Sequence, residues 1–194
     1  MAESKPIFVV DIDGVACEHA KAICEWVSHE YNIAVTVDDV TSWDPNFGPI
    51  TFVKAVNTCY PNEKFILKME VTPGFDSFLK QLLQKAIVKF ATARKKYAHE
   101  ATRLWVNKNF GEFETFFVKS KAELSCDFIV DDYLGEVIEA ANTGKTSFLF
   151  SRPWNNNENT KNTIVKLSSC HFVSSFDEII DILEKEENHN KLWG

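Results

Sequence analysis

Carboxylate side chains stand directly after two apolar stretches of this sequence. The first stretch leads into Asp11 and Asp13, and a later one leads into Asp131 and Asp132. Several ionised carboxylates can share one small site only if a cation offsets their charge. Hard oxygen ligands in that number favour Mg²⁺, and a carboxylate beside the ion can act as a nucleophile or move a proton.

A hydroxyl and an ammonium group complete this set. Thr92 follows another apolar stretch, and Lys121 lies shortly after a fourth. Together they would neutralise and orient a phosphoryl group, so the set predicts phosphoryl transfer. Taken alone, Asp131-Asp132 is typical of a helix cap and Lys121 of a solvated surface. The order and spacing of the whole set favour the site.

The elements that must position these side chains alternate along the chain. Short apolar runs of the kind found in buried parallel strands occur at 7–10, 86–91, 115–118, 128–130, 147–150 and 171–173. Helical patterns lie between them at 75–83, 97–110, 133–141 and 176–183. The alternation predicts an α/β fold, a Rossmann-like parallel sheet flanked by helices. Ligands bind beyond the carboxyl ends of such strands, where the carboxylates would converge.

Residues 15–72 interrupt this alternation. They contain helical patterns at 16–31 and near 51–59 and no clear strand, and the interval is much longer than an ordinary connection. We interpret it as a small, mostly helical cap inserted after the first strand. Residues 1–14 and 73–187 would then form the core, and residues 188–194 a tail.

Composition narrows the class of protein. The chain has 194 residues, of which 45% are hydrophobic and 25% charged, as expected for a soluble globule. Its net charge of −7 argues against a broad electrostatic grip on nucleic acid or on an anionic membrane. No apolar run is long enough to span a bilayer. Five cysteines without paired spacing fit a reduced, cytoplasmic setting, as small core residues.

The chemistry-bearing residues resemble those of the haloacid dehalogenase-like phosphatases. The matches, in that family's order, are Asp11-Ile12-Asp13-Gly14, Thr92, Lys121 and Asp131-Asp132. Within this superfamily the chain is most similar to the 5′(3′)-deoxyribonucleotidases. The supporting segments are Thr72-Pro73-Gly74, residues 105–111, Ser120-Lys121-Ala122 and Arg152-Pro153-Trp154-Asn155.

The resemblance implies a role for each catalytic position. Asp11 would attack phosphorus and form an aspartyl-phosphate, and Asp13 would protonate the leaving oxygen and then activate water. Thr92 and Lys121 would bind the phosphate oxygens. Gly14 would let the backbone turn sharply beside the phosphate.

The resemblance also implies a magnesium site. The ion would be held by the Asp11 carboxylate, the Asp13 backbone carbonyl and Asp131, with Asp132 supporting the metal shell. Related enzymes are often homodimers, which makes a homodimer an expectation for this chain as well.

Substrate contacts are the third implication. Aromatic residues near the cap stack on the base in the family, and Trp43 matches such a position. His19 stands where relatives often carry an aromatic ring, which would make the contact pH-sensitive. Phe47 and Phe65 are further candidates. Arg94 departs from the family's usual pattern and could contact a second phosphate or a ribose oxygen.

The sequence therefore predicts a Mg²⁺-dependent phosphomonoesterase acting on (deoxy)ribonucleoside monophosphates. One alternative is a polynucleotide 3′-phosphatase, which would need a basic track beside the cleft; another is a different small-molecule phosphatase of the superfamily. A non-catalytic binding domain is the third. Such a domain would be expected to lack Asp11 or Asp13, and both are present.

Overall fold

A single parallel sheet lies at the centre of the computed structural model, which describes residues 5–190. Its strands are β1 (Ile7–Asp11), β2 (Ile87–Thr92), β3 (Thr115–Phe117), β4 (Phe128–Asp131), β5 (Thr146–Phe150) and β6 (Cys170–Val173). They are arranged in the order β3-β2-β1-β4-β5-β6, and every neighbouring pair is parallel. All the predicted strands are confirmed, with ends shifted by at most one residue.

The strand order reverses between β1 and β4. The chain builds outward from β1 to β3 on one side and from β4 to β6 on the other. Ligand-binding crevices of parallel sheets lie at such a reversal, beyond the carboxyl ends of the strands. Because Val10 pairs with Val130, the next residues Asp11 and Asp131 end their strands side by side.

Both faces of the sheet are buried, as the continuous apolar strands indicate. Phe8 and Val10 of β1 pack on one face with three helices, α4 (Phe75–Lys85), α5 (His99–Phe110) and α8 (Phe176–Asn190). Val9 packs on the opposite face with α6 (Leu134–Asn142), and α7 (Glu158–Ile164) covers that same face over β5 and β6. The sheet is therefore the middle layer of a three-layer α/β fold.

Helices occupy most of the connections. They are α1 (His19–Tyr31), α2 (Phe52–Cys59), α3 (Glu63–Lys68), α4 (Phe75–Lys85), α5 (His99–Phe110), α6 (Leu134–Asn142), α7 (Glu158–Ile164) and α8 (Phe176–Asn190). None of them, within residues 5–190, is both long and apolar enough to cross a bilayer. The sequence did not predict α3 and α7, which are short and are capped by the side chains of Asn62 and Asn157.

The segment 15–72 contains α1, α2, α3 and a 3₁₀ turn at Val37–Asp39, between β1 and α4. Ile23 of α1 and Ile66 of α3 belong to the same hydrophobic cluster as Phe8 of the sheet, so the inserted helices pack directly on the core. The division into core and cap remains a prediction. At the other end, α8 continues to Asn190, and the rest of the predicted tail lies outside the described residues.

All five cysteines are free, and four of them are buried. Burial raises the pKa of Cys24 to about 12 and that of Cys126 to about 11, so both are thiols at neutral pH. Four of the five cysteines are therefore small core residues, as the sequence indicated.

Candidate active site

Three buried carboxylates meet at the carboxyl edge of β1 and β4. One oxygen each from Asp11, Asp131 and Asp132 lies within 4.8 Å of the others. The Lys121 ammonium group reaches into this cluster and donates to Asp11 Oδ1 at 2.7 Å and to Asp131 Oδ2 at 2.6 Å. Residues that are far apart in the sequence therefore converge as predicted.

The cluster carries more negative than positive charge. Burial raises the pKa of Asp11 well above its usual range, and the negative charge of Asp131 adds to this effect, while Lys121 opposes it. Burial and the charge of Asp11 likewise raise the pKa of Asp132. Burial alone would lower the pKa of Lys121, but its two carboxylate partners hold it above the usual value. A hard divalent cation fits this set of oxygen donors and would offset the remaining charge.

Local turns hold Lys121 and Asp131 in place. Lys121 opens a 3₁₀ turn, and its backbone N–H donates to Glu136 Oε2 at 2.7 Å. Asp131 Oδ1 accepts from the backbone N–H of Tyr133 at 2.8 Å, which leads the chain into α6. Sequence reasoning missed Glu136, because an acidic residue in the first turn of a helix is ordinary.

Gly14 is required by its contact with Asp132. Its φ is +81°, and a Cβ at this position would lie 2.0 Å from Asp132 Oδ2.

The loop after β5 holds both Gly14 and Asp132 in place. Trp154 Nε1 donates to Asp132 Oδ2 at 3.1 Å, Asn155 Nδ2 donates to the Asp132 carbonyl at 2.8 Å, and Arg152 Nε donates to the Gly14 carbonyl at 2.6 Å. The sequence indicated the Arg152–Asn155 segment only through its resemblance to the family. In the structure this segment holds Gly14 and Asp132 in place.

The Asp13 side chain lies outside the cluster of three carboxylates. It accepts two hydrogen bonds from Arg94, at 2.6 and 2.8 Å, and one from the Tyr60 hydroxyl at 2.7 Å. Burial would raise the pKa of Asp13, but the Arg94 guanidinium outweighs it and holds this pKa well below its usual range. The predicted metal contact of Asp13 involves its backbone carbonyl and remains a prediction.

Thr92 and Arg94 follow each other at the end of β2. Thr92 is 1% exposed, lines the cavity described below, and accepts from the Arg94 backbone N–H at 3.2 Å. The Arg94 guanidinium is directed to Asp13 and to Thr102 Oγ1, 3.0 Å away. Its predicted contact with substrate remains a prediction, and its donors are engaged within the protein.

A cavity of about 440 Å³ opens above this cluster. Its polar end is formed by Asp11, Thr92, Lys121 and Asp132. Its aromatic lining comes from both the inserted helices and the core: His19, Trp43, Phe52, Tyr60, Tyr97, Tyr133 and Trp154. A cavity of this size suits a small organic molecule that carries one charged group.

Trp43 and Tyr133 form an exposed ring pair in this cavity. Trp43 is 54% exposed, and its ring centroid lies 4.5 Å from that of Tyr133. Sequence reasoning proposed Trp43 but missed Tyr133. The sequence does place Gly135 two positions after Tyr133. A Cβ on Gly135 would lie 2.7 Å from Tyr133 Cε1, so the glycine leaves room for the ring.

His19 also lines the cavity, as a buried ring. It packs edge-on against Phe52 and Trp154, and burial lowers its pKa, so the imidazole is neutral at neutral pH. Its Nδ1 atom has no hydrogen-bond partner among the described residues. Phe47 and Phe65 pack against cavity-lining rings, those of Phe52 and Tyr60 respectively.

Comparison with known proteins gave one family match. The model of the family described as 5′ nucleotidase, deoxy (pyrimidine), cytosolic type C protein matches residues 5–170. No curated protein matched significantly.

Solved structures of haloacid dehalogenase-like hydrolases share the fold. One from Deinococcus radiodurans R1, with bound phosphate and sodium, has a TM-score of 0.64 and 12% identity, covering 95% of this chain and 97% of its own. One from Streptococcus pneumoniae has a TM-score of 0.60 and 12% identity, covering 92% and 98%. One from Geobacter sulfurreducens has a TM-score of 0.56 and 15% identity, covering 94% and 98%.

Proposed function

Because this chain belongs to the 5′ nucleotidase, deoxy (pyrimidine), cytosolic type C family of haloacid dehalogenase-like phosphomonoesterases, we propose that it is a Mg²⁺-dependent nucleotidase acting on (deoxy)ribonucleoside monophosphates. One observation carries the proposal. The cavity joins a carboxylate–lysine cluster, suited to a phosphoryl group, to an aromatic wall suited to a base.

The reaction would proceed in two displacements. In the first, an Asp11 carboxylate oxygen attacks phosphorus, the P–O ester bond breaks, and the leaving nucleoside oxygen takes a proton from Asp13. In the second, Asp13 removes a proton from water, the water oxygen attacks phosphorus, and the bond to Asp11 breaks. The ion pair with Arg94 favours the ionised form of Asp13, which is the form that the second displacement uses.

The remaining residues bind and neutralise. Lys121, which lies 2.7 Å from Asp11 Oδ1, would approach the phosphate oxygens together with the Thr92 hydroxyl. Asp11, Asp131 and Asp132 would hold Mg²⁺, which when bound reduces the repulsion between the attacking carboxylate and the phosphate.

A phosphate-release panel tests this function. It would contain deoxyribo- and ribonucleoside 5′- and 3′-monophosphates, sugar phosphates and a 3′-phosphorylated oligonucleotide, each with Mg²⁺ and with EDTA. We expect Mg²⁺-dependent release that is fastest from nucleoside monophosphates. Preferential release from sugar phosphates, or release that EDTA does not affect, would contradict the proposal.

The second candidate, a polynucleotide 3′-phosphatase, is favoured by two lysines at the cavity. Lys95 and Lys119 are exposed and line it, and they follow the neighbouring strands β2 and β3. This local positive charge was hidden by the acidic composition. If polynucleotide ends are the substrate, KM for the oligonucleotide should be lower than for mononucleotides and should rise much more steeply with salt.

Mg²⁺ is expected to stabilise the folded protein. An ion at 100 times its Kd would add about 2.7 kcal/mol to the free energy of unfolding. The pKa values of Asp11 and Asp132 are raised in the folded state, so their contribution to stability is present at low pH and is lost as pH rises through those pKa values. At higher pH the ionised carboxylates repel each other, and Mg²⁺ binds to these ionised forms. The increase in Tm with Mg²⁺ should therefore be larger at pH 7.5 than at pH 5.5. Thermal unfolding with Mg²⁺ and with EDTA measures this increase. If Mg²⁺ does not change the Tm of Asp131→Asn, the ion binds at this site.

Trp43→Ala is expected to raise KM for nucleoside monophosphates by about 10-fold, because stacking of a base on an aromatic ring contributes roughly 1–3 kcal/mol. The exposed ring lies at the cavity, so the substitution should leave the fold intact. Steady-state kinetics with a small phosphoester that lacks a base is the internal control, and its KM should change little. Equal changes for both substrates would show that Trp43 does not contact the base.

A further inference from the structure

Arg94 is a buried cation whose donors are used inside the protein. Its side chain is only 1% exposed. Nε donates to Asp13 Oδ2 at 2.8 Å and Nη2 donates to Asp13 Oδ1 at 2.6 Å, which is a bidentate pair. The third guanidinium nitrogen, Nη1, donates to Thr102 Oγ1 at 3.0 Å. This arrangement is that of a structural clamp on Asp13.

The clamp is itself fixed by the inserted helices and by α5. The guanidinium lies over the Tyr60 ring, 4.8 Å from its centroid. Thr102 can accept from Arg94 because its own hydroxyl proton goes to the Ala98 carbonyl, 2.7 Å away. Arg94 therefore has a defined position without any contribution from a substrate.

The hydrogen bonds to Asp13 leave one acceptor position open. A carboxylate offers about four lone-pair positions, two on each oxygen. Oδ1 accepts from Arg94 Nη2 and from the Tyr60 hydroxyl, so both of its positions are taken. Oδ2 accepts only from Arg94 Nε among the described residues. The free position on Oδ2 is the one that remains for a proton.

We propose that Arg94, assisted by Tyr60, is a positioning residue that orients Asp13 so that Oδ2 exchanges the proton, and that Arg94 does not bind the transferred phosphate. In the first displacement Oδ2 gives its proton to the leaving oxygen as the P–O bond breaks, and in the second it takes a proton from the attacking water. The inference rests on the proposed function, because it assigns the proton to Asp13.

A phosphate-binding role for Arg94 would disrupt this arrangement. Turning the guanidinium towards a phosphate would break the bidentate pair and leave the partly buried Asp13 carboxylate without its charged partner, which is unfavourable. Lys121 and Thr92 line the same cavity as Arg94, so the phosphate has other partners available.

The leaving group distinguishes the two roles. An alkyl oxygen needs a proton in order to depart, whereas a nitrophenyl oxygen leaves readily without one. Arg94→Met should lower kcat/KM for a nucleoside monophosphate by about 10²- to 10³-fold, the range of general acid–base catalysis. The loss for nitrophenyl phosphate should be much smaller, and inhibition by inorganic phosphate should change little. Arg103→Met, which removes an exposed arginine on α5, is the matched control and should behave as the wild type.

A double-mutant cycle gives the second readout. A residue that acts through Asp13 should have little further effect once Asp13 is replaced, so Arg94→Met in an Asp13→Asn background should be nearly silent. If instead kcat/KM falls equally for both esters, inorganic phosphate inhibits at least about 10-fold less well, and the two substitutions act additively, then Arg94 is a phosphate ligand and the proposal is wrong.

Tyr60→Phe covers the case in which Arg94→Met fails to fold. It removes one hydrogen bond to Oδ1 and keeps the ring beneath the guanidinium, and it should show the same leaving-group dependence at smaller size. If the wild type hydrolyses no nucleotide, glycerol phosphate serves as the alkyl ester. The nucleotidase assignment would then fail while the role of Arg94 is still tested. Equal effects of Tyr60→Phe on kcat/KM for both esters would overturn the proposed role of Arg94.

Discussion

Asp11→Asn is expected to abolish turnover, with a decrease in kcat of at least about 10⁴-fold, because an amide oxygen cannot replace the attacking carboxylate. Asp11 is 4% exposed, accepts a hydrogen bond from Lys121 and belongs to the cluster of three carboxylates. Asparagine has nearly the same shape, so packing should be preserved. The neutral amide also relieves repulsion in a site where burial and neighbouring charges raise the pKa of Asp11, so stability without metal should be unchanged or higher.

Rapid-quench measurement of phosphate release, together with thermal unfolding in EDTA, would test this prediction. Acid quenching of the wild type should trap phosphate on the protein, and the variant should trap none. Asp38→Asn, at an exposed aspartate, is the matched control and should keep wild-type activity. Turnover in a folded Asp11→Asn variant would refute the nucleophile assignment.

The convergence of the cluster could be predicted because it depends on sheet topology alone. Asp11 and Asp131 are the last residues of adjacent parallel strands, and strand ends can be read from where an apolar run stops. The carboxyl ends of parallel strands meet at one edge, so the two residues needed no information on side-chain packing to be placed together.

The partners of Asp13 could not be predicted, because they depend on how the inserted helices pack. Arg94 is 81 positions from Asp13 in the sequence, and Tyr60 is 47 positions away. Neither spacing carries a periodic signal, and a lone arginine after a strand is as compatible with a substrate contact as with an internal ion pair. Only the packing of the segment 15–72 against the end of β2 distinguishes the two.

The short helices α3 and α7 could not be predicted from the sequence either. α3 and α7 are too short for an apolar period to be recognised. Their start signals, Asn62 and Asn157, are residues that are also common in turns. The longer, amphipathic helices α4 and α8 were predictable because each buries a repeating apolar face against the sheet.

Lys121→Met is expected to reduce both stability and activity. Lys121 is the shared partner of Asp11 and Asp131, at 2.7 and 2.6 Å, and all three side chains are buried. Removing one partner of a buried ion pair typically decreases the free energy of unfolding by about 3–5 kcal/mol, because the remaining charge has no compensation. Loss of a cation aimed at the phosphoryl group should also lower kcat/KM by about 10²- to 10³-fold.

Mg²⁺ and pH separate these two effects. Without Lys121 the carboxylates are more readily protonated, so the loss of stability should be large at pH 8 and smaller at pH 5. Mg²⁺ should raise the Tm of the variant more than that of the wild type, because the site has lost a competing positive charge, yet activity should not return. Chemical denaturation at both pH values measures the first effect, with Lys80→Met at an exposed position of α4 as control. A variant as stable as the wild type in EDTA at pH 8 would show that the three carboxylates do not share their charge through Lys121.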